Sequence, residues 1–102
     1  CEMAFTGDML DAQEAYRMGL VSQVLPHEEM MKEAKALASK IAQGPPIAVQ
    51  LTKHVMRAGL GAELPVQMLY ELYLQGLVAQ TEDCKEGVVA FLEKRPPVFK
   101  GK

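Results

Sequence analysis

Tryptophan is absent from the sequence, and cysteine is rare. Cys1 and Cys84 are the two cysteines, and they lie too far apart for a Cys-x-x-Cys zinc pair. Two thiols cannot form the disulfide framework of a small secreted protein, so we expect free thiols in a reducing compartment, the cytoplasm or alternatively the mitochondrial matrix. His27 and His54 are separated by a predicted helix and have no third ligand nearby, so we predict no metal site.

An excess of positive charge and long apolar runs are also missing. Eleven basic residues against thirteen acidic ones give a net charge of −2 in 102 residues. General nucleic-acid binders need a basic excess to neutralise phosphates, so we expect no nucleic-acid partner. No apolar run approaches the roughly 20 residues of a membrane-spanning helix, so we expect no membrane partner. A chain of this length forms one domain at most, with a modest core.

The last 22 residues, 81–102, carry the clearest helix signals. Thr81 can accept a backbone N–H bond at the start of a helix. Two acidic residues follow it and two basic residues stand near the end, as the helix dipole favours. Pro96 and Pro97 then stop the helix. Phe91 and Lys94 are three residues apart, so we expect them on one helical face.

Two interpretations of Phe91 and Lys94 remain open from the residues alone. In the first, Phe91 belongs to the core and the basic cluster only complements the helix dipole. In the second, the aromatic ring stacks on a flat ligand ring while Lys94 meets a phosphate. Arg95 and Lys100 are weaker candidates for the same site, and they could equally hold the C-terminal residues in place.

The first 26 residues read as a short helix followed by a strand. Asp11 and Glu14 form a capping-box pattern, in which each side chain can bond the other residue's N–H. Gly19 suits the left-handed position that ends a helix. Residues 20–25 are apolar and β-branched and lie between Gly19 and Pro26, which predicts a short strand.

Three longer helices are predicted over residues 27–43, 47–58 and 64–80. The first two have one apolar stripe each, whereas the third is apolar all around its axis. A helical hairpin with residues 47–58 would cover only one side of the third helix. We therefore expect a second partner for it, either a further part of the same chain, a neighbouring subunit, or both.

Two segments resemble the crotonase superfamily of enoyl-CoA hydratases and isomerases. The residues EGVVAFLEKRPPVFKGK are similar to that family's C-terminal pattern, and TGDMLDAQEAYRMGLVSQVLP is similar to a segment that precedes it. Phe5 departs mildly, because the family often has Leu there. The resemblance implies a mostly α, C-terminal segment of an α/β fold of the ClpP/crotonase-like type. Residues 1–26 would end the core, and residues 27–102 would form a helical oligomerisation and CoA-contact region.

The resemblance also implies a function for a longer parent protein. It indicates an enoyl-CoA hydratase, a lyase of fatty-acid or related acyl-CoA metabolism, with isomerase and methylglutaconyl-CoA hydratase activities as alternatives. A non-catalytic helical oligomerisation module is the alternative from a different class. The family's catalytic carboxylates lie upstream of the matched segments, so we predict no catalytic residue here and an inactive isolated chain.

The same resemblance assigns binding roles. Phe91 and Lys94 match family positions that contact the adenine nucleotide end of CoA, often in the neighbouring subunit. CoA is part of the substrate, so no separate cofactor is expected. The partners implied are an acyl-CoA and further copies of the chain, in a trimer or a dimer of trimers. Because the first residue is Cys rather than Met, we interpret the chain as a fragment.

Overall fold

The computed structural model describes residues 2–102, and this part of the chain is helical. Its helices are α1 (Glu2–Thr6), α2 (Ala12–Arg17), α3 (His27–Ala42), α4 (Pro46–Gly59), α5 (Leu64–Ala79) and α6 (Glu82–Glu93). The mostly α prediction is therefore confirmed, and the longer helices lie within a residue or two of their predicted bounds. No helix in this described part is long and apolar enough to cross a membrane.

The chain divides into two compact units. The first extends to Lys35, and the second is Ala36–Lys102, so α3 contributes to both. The predicted division at residue 26 concerns the roles of the two segments in a larger protein, and it stays a prediction. The two predicted binding residues, Phe91 and Lys94, belong to the second unit.

Helix α2 of the first unit begins as the sequence predicts. The Asp11 carboxylate accepts the backbone N–H of Glu14 at 2.8 Å, which caps the helix. The second bond of the predicted capping box, in which the Glu14 carboxylate would accept the backbone N–H of Asp11, is wrong. The Glu14 carboxylate instead binds the guanidinium of Arg17, one turn further along, with Nε at 2.7 Å from Oε2. This charged donor holds the pKa of Glu14 below its usual value.

The end of α2 explains why the predicted strand does not form. Gly19 has φ 75°, and its N–H donates to the carbonyl of Tyr16 at 3.0 Å. The N–H of Leu20 reaches back to the carbonyl of Ala15 at 2.9 Å, which completes a Schellman motif. Residues 20–25 then form bends and irregular backbone, and residues 2–102 contain no strand. The prediction is wrong because a strand needs a neighbour for its N–H and C=O groups, which apolar composition alone cannot supply.

The second unit is built around α5, which packs against both α4 and α6. Leu74 of α5 and Ala90 of α6 are buried, with 7% and 1% of their surfaces exposed. The side-chain amide of Gln67 donates to the carbonyl of Val55 at 2.9 Å and ties α5 to α4. The predicted pairing of these two helices is confirmed.

Much of the apolar surface of α5 is uncovered by the described residues. Its exposed apolar side chains point in several directions around the axis, as the sequence predicts: Leu64, Val66, Met68, Leu69, Leu72, Tyr73 and Leu77. Apolar surface that is removed from water stabilises a protein by about 25 cal/mol per Å². A further partner for α5 therefore remains an expectation, since α4 and α6 leave these side chains in contact with solvent.

Candidate functional site

Helix α6 begins at the predicted cap. Thr81 has extended backbone, and its hydroxyl oxygen accepts the N–H of Cys84 at 3.0 Å. The same hydroxyl donates to the carbonyl of Val78 at 2.7 Å, at the end of α5. One side chain therefore fixes both the end of α5 and the start of α6, which sets the direction in which α6 runs.

Lys94 lies just beyond the end of α6 in a left-handed conformation. Its φ and ψ are 55° and 37°, and it is the one residue other than glycine with positive φ among residues 2–102. The N–H of Lys94 donates to the carbonyl of Phe91 at 3.2 Å, and the N–H of Arg95 donates to that of Ala90 at 3.0 Å. This is a Schellman motif with lysine in the position where glycine is usual.

The left-handed conformation corrects the expected placement of Lys94. The i, i+3 spacing puts Phe91 and Lys94 on one helical face only if both are helical, but α6 ends at Glu93. The backbones of the two residues nevertheless remain in contact, since the Lys94 N–H is bonded to the Phe91 carbonyl. The helix stops earlier than the prolines require because the Schellman bonds already satisfy its last carbonyls.

The ring of Phe91 does not belong to the packed core of the second unit. Its side chain is 81% exposed, in contrast to Ala90 beside it, which is 1% exposed. Exposure alone does not distinguish a ligand contact from a contact with a further part of the protein, because Leu92 beside it is 73% exposed as well. Both interpretations of Phe91 therefore stay open, and the CoA role stays a prediction.

Arg95 is occupied by carboxylates and holds the tail, which we define as residues 95–102. Its Nη1 and Nη2 donate to the two oxygens of Glu86 at 2.6 and 2.9 Å, and its Nε donates to Oε2 of Glu93 at 2.6 Å. Glu86 also accepts the backbone N–H of Val98 at 2.9 Å. These donors lower the pKa of Glu86 to about 2, with the Arg95 hydrogen bonds as the main cause.

Asp83 fixes the far end of the tail. Its side chain is almost fully buried, at 3% exposed, and its two oxygens accept the N–H groups of Lys100 and Gly101, both at 2.7 Å. The N–H of Asp83 in turn donates to the carbonyl of Lys102 at 3.1 Å. From the sequence, Asp83 is expected only to interact favourably with the helix dipole, because no local pattern indicates partners 17 and 18 residues away.

Phe99 provides the apolar contact between the tail and α6. A Cβ built at Gly87 would lie 3.7 Å from ring atom Cε1 of Phe99, so the ring lies close to the helix backbone. The tail is therefore held along α6 at three places: by Glu86, by the contact at Gly87, and by Asp83. These contacts explain Arg95 and the backbone of Lys100 structurally, and both remain weaker ligand candidates than Phe91 and Lys94.

Several acidic side chains in the described residues have structural partners. Asp11 caps α2, Glu14 binds Arg17, and Asp83 and Glu86 hold the tail. Groups of three His, Cys, Asp or Glu side chains that could hold a metal ion do not occur in residues 2–102. The prediction that this chain carries no catalytic residue stands as a prediction.

A protein-family model described as enoyl-CoA hydratase/isomerase matches residues 1–102. The chain belongs to this family. Within it, a (E)-benzylidenesuccinyl-CoA hydratase from Thauera aromatica is 43% identical over 102 residues, which cover 98% of the chain and 39% of the relative. A 2,3-dehydroadipyl-CoA hydratase from Escherichia coli is 41% identical over 101 residues, which cover 99% of the chain and 40% of the relative.

A solved member of the enoyl-CoA hydratase/isomerase family shares the architecture. The enoyl-CoA hydratase from Bacillus anthracis superposes with a TM-score of 0.94 at 39% identity, over 99% of this chain and 39% of that one. The chain thus spans about two fifths of the length of the relatives it matches. The crotonase-type resemblance seen in the two sequence motifs is confirmed at the level of family and fold.

Proposed function

We propose that the full-length protein is an enoyl-CoA hydratase, which adds water across the 2,3 double bond of an acyl-CoA thioester. The reaction places a proton on C2 and a hydroxyl group on C3, and water supplies both. The observation that carries this proposal is the family match over residues 1–102, supported by relatives named as hydratases.

The names of these relatives also support a role in binding the CoA portion. The two acyl groups named, benzylidenesuccinyl and dehydroadipyl, differ in chemistry, whereas the CoA thioester is common to both. A segment of about 40% identity to each is suited to recognise what the substrates share. We propose that this segment contributes to the CoA pocket.

Phe91 and Lys94 are the residues that we assign to CoA. The exposed ring of Phe91 would stack against the adenine, and the Lys94 ammonium would pair with a phosphate. Stacking needs a free aromatic face, which Phe91 has in this chain. Phosphate pairing needs a cation without a competing carboxylate, and Arg95 is less suited because Glu86 and Glu93 already bind it.

The chemistry of hydration requires groups that we assign to the rest of the protein. Negative charge grows on the thioester oxygen as an enolate forms, and oriented N–H donors stabilise it. A carboxylate must also lie within hydrogen-bond reach of the attacking water. We expect both outside residues 1–102, so the isolated chain is inactive.

We propose that the protein forms an oligomer, either a trimer or a dimer of trimers as the family resemblance implies, and the exposed apolar surface of α5 suits a subunit interface. Leu69, Leu72 and Tyr73 keep 65% or more of their surfaces exposed, although they belong to the helix at the centre of the second unit. Obligate subunit interfaces are rich in such side chains. We place the assembly in the cytoplasm, with the mitochondrial matrix as the alternative.

Two other functions keep specific support. The family description includes isomerases, so double-bond migration in an enoyl-CoA, or hydration of a methylglutaconyl-CoA, is the second candidate. A non-catalytic helical oligomerisation module is the third, and it is supported by the exposed face of α5.

One assay with the full-length protein separates these functions. Hydration of a 2-enoyl-CoA removes the conjugated double bond, so the ultraviolet absorbance of the thioester falls and a 3-hydroxyacyl-CoA appears by mass spectrometry, 18 Da heavier. An isomerase converts a 3-enoyl-CoA to the conjugated isomer with no change in mass. A protein that binds CoA thioesters but changes neither substrate refutes hydratase activity, and one that binds none supports the helical-module function.

A further inference from the structure

We propose that Glu86 is a positioning residue for CoA binding: its carboxylate fixes the backbone that follows Lys94 and thereby places the Lys94 ammonium. The inference rests on the proposed function, because it assumes that Lys94 contacts CoA. Glu86 itself is not assigned to the ligand, since both of its oxygens are engaged by Arg95.

The conformation of Lys94 needs an explanation. Two helices end in the same Schellman motif, and α2 has Gly19 at φ 75° where α6 has Lys94 at φ 55°. A side chain with a Cβ is disfavoured in this region, so it persists only where the surrounding contacts hold it. At Gly19 the chain uses the residue that suits the backbone. At Lys94 it keeps a lysine, whose conformation must be supported by its neighbours.

Glu86 provides that support through the residues that follow Lys94. Arg95 comes directly after the left-handed residue, and its guanidinium forms a two-point contact with the Glu86 carboxylate. Val98 lies three residues further on, and its N–H donates to Oε1 of the same carboxylate. One carboxylate on α6 thus holds the chain at two points after Lys94.

Glu86 lies in α6 where its contact with Arg95 directs the tail back along the helix. The carboxylate is partly shielded, with 24% of the Glu86 side chain and 38% of the Arg95 side chain exposed. Asp83, one turn earlier in α6, holds Lys100 and Gly101 in the same way. The tail therefore returns along α6 and cannot swing away while both carboxylates are bound. The direction in which the backbone leaves Lys94 is set by this return.

The test uses Glu86→Gln in the full-length protein. Glutamine has nearly the same shape but lacks the charge and one acceptor oxygen, so the paired contact with Arg95 is lost. Without this contact, we expect Lys94 to leave the left-handed conformation in most molecules. Only the molecules that keep this conformation bind CoA with full affinity, so the apparent Kd for CoA rises by the inverse of their fraction, about 5- to 10-fold. Glu82→Gln is the matched control, because it removes the same charge from an exposed side chain at the start of α6.

A double-mutant cycle with Lys94→Ala separates positioning from general destabilisation. If Glu86 acts on CoA through Lys94, adding Glu86→Gln to Lys94→Ala causes no further rise in the Kd for CoA. Additive effects of the two substitutions would overturn the proposal. Arg95→Lys removes the same contact by changing the other partner, because lysine keeps the charge but cannot form the two-point contact. It replaces Glu86→Gln in the test if that variant fails to fold.

A truncated ligand provides the second readout. An acyl-pantetheine thioester lacks the adenine nucleotide and its phosphates, so the KM for it should be the same in wild type and Glu86→Gln. An equal loss with acyl-CoA and acyl-pantetheine would overturn the proposal and indicate a structural role. If Lys94→Ala alone leaves CoA binding unchanged, the proposed CoA contact fails. If Lys94→Ala weakens binding and Glu86→Gln does not, only the positioning role fails.

Discussion

Replacing Lys94 by glycine should stabilise the protein while weakening its affinity for CoA. The left-handed conformation costs a residue with a Cβ about 1–2 kcal/mol, and glycine avoids this cost. Glycine also gains conformational freedom in the unfolded chain, which offsets about 0.4–1 kcal/mol of the gain. With Lys94 at φ 55°, we expect the free energy of unfolding to rise by about 0.5–1 kcal/mol.

The same substitution removes the proposed phosphate contact. A hydrogen bond to a charged group contributes roughly 1.5–3 kcal/mol, so Lys94→Gly should raise the Kd for CoA by about 10-fold or more. Urea unfolding measures the stability of the full-length protein, and isothermal titration calorimetry measures the Kd. Lys94→Ala is the control that separates the two effects, because it removes the ammonium but keeps the Cβ. It should weaken CoA binding without the gain in stability.

The end of α2 provides a control in which the opposite substitution is made at the equivalent position. Gly19 has φ 75°, and a Cβ there would meet nothing within 4 Å, so Gly19→Ala tests the backbone effect without a steric clash. It should lower the free energy of unfolding by about 0.5–1 kcal/mol. If Gly19→Ala destabilises as expected but Lys94→Gly is neutral or destabilising, the conformation at Lys94 is not disfavoured and the reasoning is refuted.

Three other predictions follow from the contacts of α6. Because the pKa of Glu86 is lowered from 4.5 to about 2 in the folded state, its contribution to stability is complete above pH 4.5 and is lost as the pH falls towards 2. The urea midpoint of wild type should therefore fall more steeply over this range than that of Glu86→Gln, and parallel curves would contradict the assignment. Thr81→Ala removes the cap of α6 and should lower the free energy of unfolding by about 1 kcal/mol, with no loss if the cap is unimportant. Asp83→Ala removes the acceptors of Lys100 and Gly101, so these two amides should exchange with deuterium faster than in wild type, while unchanged exchange would show that the tail is held by other contacts.

Local signals in the sequence predicted the helices well. The caps at Asp11 and Thr81 and the left-handed Gly19 were predicted from residue type, because each depends on bonds between residues only a few positions apart. The spacing of apolar residues predicted α3 and α4 for the same reason. The family motifs added the CoA assignment of Phe91 and Lys94, which residue chemistry alone left open.

Contacts between distant residues were not predictable in this way. The strand expected at residues 20–25 was wrong, since strand formation depends on a neighbour that the segment itself does not specify. The bonds from Asp83 and Glu86 to the tail were missed because their partners lie 9 to 18 residues away in the sequence. Asp83 also fits the ordinary pattern of acidic residues in the first turn of a helix. The left-handed Lys94 was missed as well, because glycine is the usual signal for that conformation.

The most direct test of the proposed CoA site is the Kd for CoA of the full-length protein, compared between wild type, Phe91→Ala and Leu92→Ala. Leu92 is the matched control, because it lies beside Phe91 in α6 and is also largely exposed, at 73% against 81%. Stacking of an aromatic ring on a base contributes about 1–3 kcal/mol, so Phe91→Ala should raise the Kd by roughly 5-fold or more, with Leu92→Ala close to wild type. Equal Kd values for wild type and Phe91→Ala, or a full-length protein that binds no CoA, would contradict the account.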